Sequence, residues 1–176
     1  MPVLDSKLNR ESDEYKANRS AMEKVLAEFE GYTKQALEGG GEKYVKRHRD
    51  RGKLLARERV DLLLDRDSHF LELSTLAAWG TDKNIGANLV TGIGVIEGVE
   101  CMILANDPTS QAGSFNRYSL WKSLRAMDIA MENRLPLVNL IESGGADLPD
   151  QAQVFLTGGK WFRNLTRLSK QRIPTI

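Results

Sequence analysis

The sequence predicts an α/β protein, and three observations lead there. Apolar residues recur at spacings of three and four in several stretches, which marks amphipathic helices. Short β-branched or apolar runs stand between the later of them. From Leu89 onward the order is strand, strand, helix, strand, turn, helix, strand, and its later part has the alternation of βαβ units.

Residues 10 to 38 read as one helix, because Met22, Val25, Leu26, Phe29 and Tyr32 share a face while Glu23, Lys24, Glu28 and Glu30 take the other. Gly39-Gly40-Gly41 ends it. A basic helical stretch runs on to about Arg51 and stops at Gly52. A short helix from Ala56 to Leu64 turns Val60, Leu63 and Leu64 inward. Residues 1–65 are therefore expected to be a helical preamble, and residues 66–176 an α/β domain. Leu89 to Ile96 and Val99 to Ala105 form a predicted hairpin about Glu97-Gly98. Asp107 to Arg117, with Pro, Gly, Ser and Asn, reads as a loop. The helix from about Tyr118 to Asn133 should bury Leu120, Leu124, Met127 and Met131 and expose Lys122, Arg125 and Glu132. Leu137 to Ile141 has the unbroken hydrophobicity of a strand covered on both faces. Glu142 to Ala146 turns, and Trp161, Phe162, Leu165 and Leu168 mark a further helix. Ile173 to Ile176 begins a strand, so the natural domain is expected to continue past Ile176.

The chain has 176 residues, 41% hydrophobic and 28% charged, which allows a packed core. A net charge of +1 argues against a nucleic-acid binder. The balance is uneven, because eight Lys and Arg fall between Lys43 and Arg59 against Asp50 and Glu58. The lone cysteine, Cys101, sits in an apolar run and reads as a small buried hydrophobe. No apolar run approaches the roughly 18 residues that span a bilayer, and no signal or transit pattern is visible. A soluble cytoplasmic protein is expected, or a mitochondrial-matrix one in a eukaryote.

Four features bear on chemistry. Ser143-Gly144-Gly145-Ala146 follows a buried strand, where paired glycines either form a simple turn or free backbone N–H groups to meet a developing negative charge. Thr91-Gly92-Ile93-Gly94 lies within a strand run rather than between strand and helix, so close strand packing or a bulge explains it better than a dinucleotide loop. The segment from Arg51 through Lys53 and Arg57 to Arg59 either binds an anionic ligand's phosphates or pairs with Asp50, Glu58 and Asp61 as a solvated face. His48 and His69 are isolated, no metal-ligand spacing occurs, and no His follows Ser143 to support hydrolase chemistry.

These residues, taken together and in order, resemble the carboxyltransferase β subunits of biotin-dependent acyl-CoA carboxylases. The resemblance rests on Arg51-Gly-Lys-Leu-Leu-Ala-Arg-Glu-Arg-Val60, Leu62-Leu63-Leu64-Asp65, Phe70-Leu71-Glu72-Leu73, Val90-Thr91-Gly92-Ile93-Gly94, Ala105-Asn106-Asp107, Ala112-Gly113-Ser114 and Glu142-Ser-Gly-Gly-Ala146. The Leu148-Pro149 variant looks more like the methylcrotonyl-type branch. The resemblance implies a crotonase-like (ClpP/crotonase) fold, here the N-terminal half in part, preceded by the helical segment. It implies that a carboxyl group passes from carboxybiotin to the α-carbon of an acyl-CoA, with the biotin ureido nitrogen taking the α-proton. Gly144, Gly145 and Ala146 then hold the thioester enolate. Arg51, Lys53 and Arg57 are candidates for CoA phosphates, and Ala112, Gly113 and Ser114 for the biotin side. The implied partners are a biotin carboxyl carrier, a biotin carboxylase component and further copies in a homo-oligomer, with no metal, nucleic acid or membrane. The chain by itself is expected not to turn over. Another crotonase-fold acyl-CoA enzyme (hydratase, isomerase or decarboxylase) and a non-catalytic assembly module remain alternatives.

Overall fold

A computed structural model describes residues 6–176. The first five residues of the expected 1–65 preamble lie outside the described residues.

Ser12 caps helix α1 (Asp13–Leu37) by accepting a hydrogen bond from Tyr15 N–H, and Asp13 and Glu14 in the first turn complement the helix dipole. Helices α2 (Glu42–Arg49) and α3 (Ala56–Leu63) follow, close to their predicted limits. The apolar face of α1 is only partly covered, because Met22, Val25, Leu26 and Phe29 stay more than half exposed or nearly so, while Tyr32 packs edge-on against Trp79.

A four-stranded sheet runs in the order β1 (Leu71–Glu72), β2 (Leu89–Ile96), β3 (Val99–Asn106), β4 (Leu137–Leu140). Strand β2 is antiparallel to both β1 and β3, and β3 pairs with β4 in parallel, Met102 opposite Leu137 and Ala105 opposite Leu140. The predicted hairpin is present, with Leu89 opposite Asn106 and Ile96 opposite Val99. Glu97 and Gly98 both take positive φ, 50° and 76°, the turn that matches strand twist. Leu137 also bridges Thr175 in parallel, so the segment expected as a strand at Ile173 to Ile176 lies along the free edge of β4. Strand β1 has two residues, too short for periodicity to show.

Strand geometry explains the core. Alternate side chains of β3 point to opposite faces. Met102 and Leu104 join Ala126, Met127 and Ala130 of helix α4 (Arg117–Asn133) and Leu168 of helix α5 (Gln151–Lys170). Cys101, Ile103 and Ala105 join Ala56 and Val60 of α3 on the other face. Leu137 and Val138 divide in the same way, which is why that strand reads as continuously apolar; its predicted last residue, Ile141, lies beyond β4 and is 63% exposed. The glycine-rich strand proves to be a packing device: a Cβ on Gly92 would stand 2.3 Å from the Phe70 ring and 2.6 Å from Leu71 O.

One expectation for α4 fails. Lys122 is not on the solvent face but 4% exposed, its Nζ donating to Leu89 O at 2.6 Å and Gly86 O at 3.2 Å. Lys122 stands three residues after Ser119 and four before Ala126, both buried, so it lies on the core side of α4, where its ammonium serves two carbonyls at the start of β2. Burial, partly countered by Glu72, lowers its pKa to about 8.

Candidate active site

The segment from Glu142 to Asp147 leaves the end of β4 in extended form rather than as a helix start, and Gly144, Gly145 and Ala146 are exposed. It lies beside the loop from Ala112 to Phe115, which precedes α4. Three backbone hydrogen bonds of 2.8 Å join the two: Gly144 N–H to Ala112 O, Phe115 N–H to Gly145 O, and Asp147 N–H to Phe115 O. Thus two motifs thirty residues apart in sequence form one ridge. Gly113 makes the approach possible. At its φ of 65° a Cβ would come within 2.3 Å of Glu142 O, a position no side chain can share.

The three candidate donors are not equivalent. Gly144 N–H is occupied by Ala112 O. Gly145, at φ 99°, donates only locally, to Ser143 Oγ at 3.1 Å. Ala146 N–H makes no hydrogen bond to any described residue. Ala146 is therefore the donor open to a ligand, and Gly145 the one held only by a side-chain hydroxyl two residues away. Spacing in the sequence has no means of separating them from Gly144.

Each end of the segment is anchored by charge. Lys53 Nζ meets Glu142 Oε1 at 2.5 Å, and Arg59 lies 3.8 Å from the other oxygen. Partial burial pushes the Glu142 carboxyl up, but the Lys53 hydrogen bond and the charges of Lys53, His48 and Arg59 outweigh it and hold the pKa below the ordinary carboxylate value. Lys83 donates to Asp147 at 2.7 Å. Arg57 lies apart from this segment, its guanidinium forked onto Glu72 at 2.7 and 3.0 Å. Just before the basic segment 51–59, Arg49 pairs with Glu58 at 2.7 Å.

Arg51 sits elsewhere. With Tyr44, Arg47, His48, Pro108 and Ala112 it lines a pocket of about 180 Å³, and neither Arg47 nor Arg51 joins an ion pair among the described residues. Ala112, also touching Gly144, is where this basic pocket meets the ridge. Past the other end lies an apolar pocket of about 200 Å³, lined by Phe115, Leu120, Val154, Gly158, Trp161 and Phe162 with Ala146. Sequence reading missed this second pocket, although Trp161 and Phe162 on one helix were its available signal. Among the described residues no three His, Cys, Asp or Glu gather as metal ligands, and no helix is long and apolar enough to cross a membrane.

The Carboxyl transferase domain family matches residues 47–176. Over 174 residues the chain is 55% identical to a probable biotin-dependent acyl-coenzyme A carboxylase beta2 subunit of Mycobacterium tuberculosis, covering 99% of this chain and 33% of that one. It is 47% identical over 180 residues to a probable mitochondrial methylcrotonoyl-CoA carboxylase beta chain of Drosophila melanogaster, covering 99% and 31%. Among solved structures, the beta subunit of Pseudomonas aeruginosa geranyl-CoA carboxylase superposes with a TM-score of 0.90 at 38% identity, over 99% of this chain and 33% of that one. The chain thus spans about a third of the length of the relatives it matches. Its sheet and flanking helices are part of the crotonase-like fold of those subunits. With its family model matched over residues 47–176, this chain belongs to the carboxyl transferase domain family.

Proposed function

We propose that this chain supplies the acyl-CoA side of the active site of a biotin-dependent acyl-CoA carboxylase. The observation that carries the reading is the ridge itself: two backbone donors not tied to the neighbouring loop, Gly145 and Ala146, between a basic pocket at Ala112 and an apolar pocket at Ala146. A molecule with an anionic head, a thioester and a hydrocarbon tail has that sequence of chemistries. Arg47 and Arg51 receive phosphate, with Lys53 and Arg57 contributing positive field from their pairs with Glu142 and Glu72. The acyl chain lies against Trp161, Phe162 and Val154.

Chemistry then follows from what the residues offer. Removing an α-proton from a thioester builds negative charge on its oxygen, and preorganised N–H groups stabilise that charge more than they stabilise the substrate. Gly145 and Ala146 fill this role. The carboxylates nearest in sequence, Glu142 and Asp147, are each engaged by a lysine, and Glu142 is held below the ordinary carboxylate pKa, which weakens it as a base. Carboxybiotin, when bound, supplies the carboxyl group and the accepting nitrogen. The rim formed by Ala112, Gly113 and Ser114 fits such a flat group, because Ala112 is exposed and small and Gly113 is buried beneath it. Biotin arrives on a carrier protein charged by a biotin carboxylase component, and further copies of the subunit complete the site in a homo-oligomer. The compartment is the cytoplasm, or the mitochondrial matrix in a eukaryote.

The test is to replace Arg47 and Arg51 singly with alanine in the full-length carboxylase. Expected is a raised KM for acyl-CoA with kcat retained, the pattern of lost uniform binding. Unchanged KM in both variants refutes the phosphate assignment.

A further inference from the structure

The donors Gly145 and Ala146 sit in a segment with little to hold it sideways. Residues 144–146 are exposed, and no heavy atom lies within 4 Å of where a Gly145 Cβ would be. Its position is set by three backbone bonds to the neighbouring loop and by its two ends. The Glu142 end is held by Lys53 and Arg59, from the basic segment. The other end is held differently.

Asp147 directly follows Ala146. Its Oδ2 accepts from Lys83 Nζ at 2.7 Å, and the two side chains are only 12% and 16% exposed, far more enclosed than the Lys53 pair. The Asp147 hydrogen bond raises the Lys83 pKa despite partial burial, so the ammonium stays charged. Lys83 comes from the loop before β2, 64 residues away in sequence. A second tie supports the first: Asp150 Oδ2 accepts from Arg117 N–H at 2.8 Å, and the Arg117 guanidinium stands 3.5 Å from Asp82. Lysine and aspartate here line neither the basic nor the apolar pocket.

We propose that Lys83 is a positioning residue for enolate stabilisation, holding the Gly145 and Ala146 N–H groups in place through Asp147. The inference rests on the reading of that ridge as the enolate site. Removing one member of a largely enclosed pair costs stability by itself, while displacing a donor by about 1 Å costs on the order of a hundredfold in rate. The role therefore shows in turnover at unchanged binding, with arginine, which keeps the charge, as the control for folding.

The experiment compares Lys83→Met, Lys83→Arg and Gly145→Val in the full-length carboxylase, with kcat, acyl-CoA KM and melting temperature measured for each. Expected for Lys83→Met is a kcat lower by about tenfold to a hundredfold at unchanged KM, with Lys83→Arg restoring most of it. Normal kcat in Lys83→Met beside a crippled Gly145→Val overturns the positioning role and leaves the enolate reading intact. Normal kcat in both removes the enolate reading and this role with it. A fall in kcat, KM and melting temperature together, unrescued by arginine, makes the pair merely structural and also overturns the proposal.

Discussion

Gly145→Val isolates the backbone chemistry of the ridge. The side chain itself meets open space, since nothing lies within 4 Å of the Cβ position. The penalty is conformational: a β-branched residue at φ 99° is strained by roughly 1–3 kcal/mol. The chain relieves this by rotating the peptides on either side of residue 145. Those two peptides carry the Gly145 and Ala146 N–H groups, so both donors turn together. Losing one such donor costs about 3–4 kcal/mol in the transition state, a hundredfold to a thousandfold in kcat. Arg47 and Arg51 are untouched, and acyl-CoA KM should change little. Steady-state carboxylation by the full-length enzyme at saturating acyl-CoA reads the effect, with a melting curve as the folding control. A folded variant with near-normal kcat refutes the assignment of Gly145 and Ala146 as enolate donors.

Gly113→Ala makes the complementary case, because its Cβ would lie 2.3 Å from Glu142 O. It should lower stability by about 1–3 kcal/mol through overpacking, seen as a lower denaturant midpoint; an unchanged midpoint refutes the close contact of the two loops. Lys122 predicts a pH dependence. Its folded pKa of about 8 lies below the ordinary 10.5, so the cation is disfavoured in the fold. Unfolded chains then bind more protons between those values, and stability should rise as pH climbs from 8 to 10.5, by on the order of 3 kcal/mol. Lys122→Met should lack that rise, and parallel pH profiles for the two proteins refute the burial of the charge.

Much of this protein was legible before folding. Helical faces, the Glu97-Gly98 hairpin, the doubly covered strand at Leu137 and the glycine pair after it all follow from local rules: side-chain period, turn conformations and β-branching act within a few residues. The ordered motifs from Arg51 to Ala146 also identified the family without any coordinates, since their order is a property of the chain. What stayed hidden depends on residues distant in sequence. The charge of Lys122 argues for solvent, although the residue shares a side of α4 with buried Ser119 and Ala126; only the arrival of the Gly86 and Leu89 carbonyls, more than thirty residues earlier, gives its ammonium partners inside. Likewise the three N–H groups of Gly144, Gly145 and Ala146 look alike in sequence. The approach of Ala112 engages the first of them, the Ser143 hydroxyl meets the second, and the third is left without a partner among the described residues. Lys53 and Lys83 are two of many surface lysines until the fold sets Glu142 and Asp147 against them. Conformational preference is encoded locally, but the partner of a hydrogen bond or a charge is chosen through space, and chain closure over tens of residues decides which group arrives.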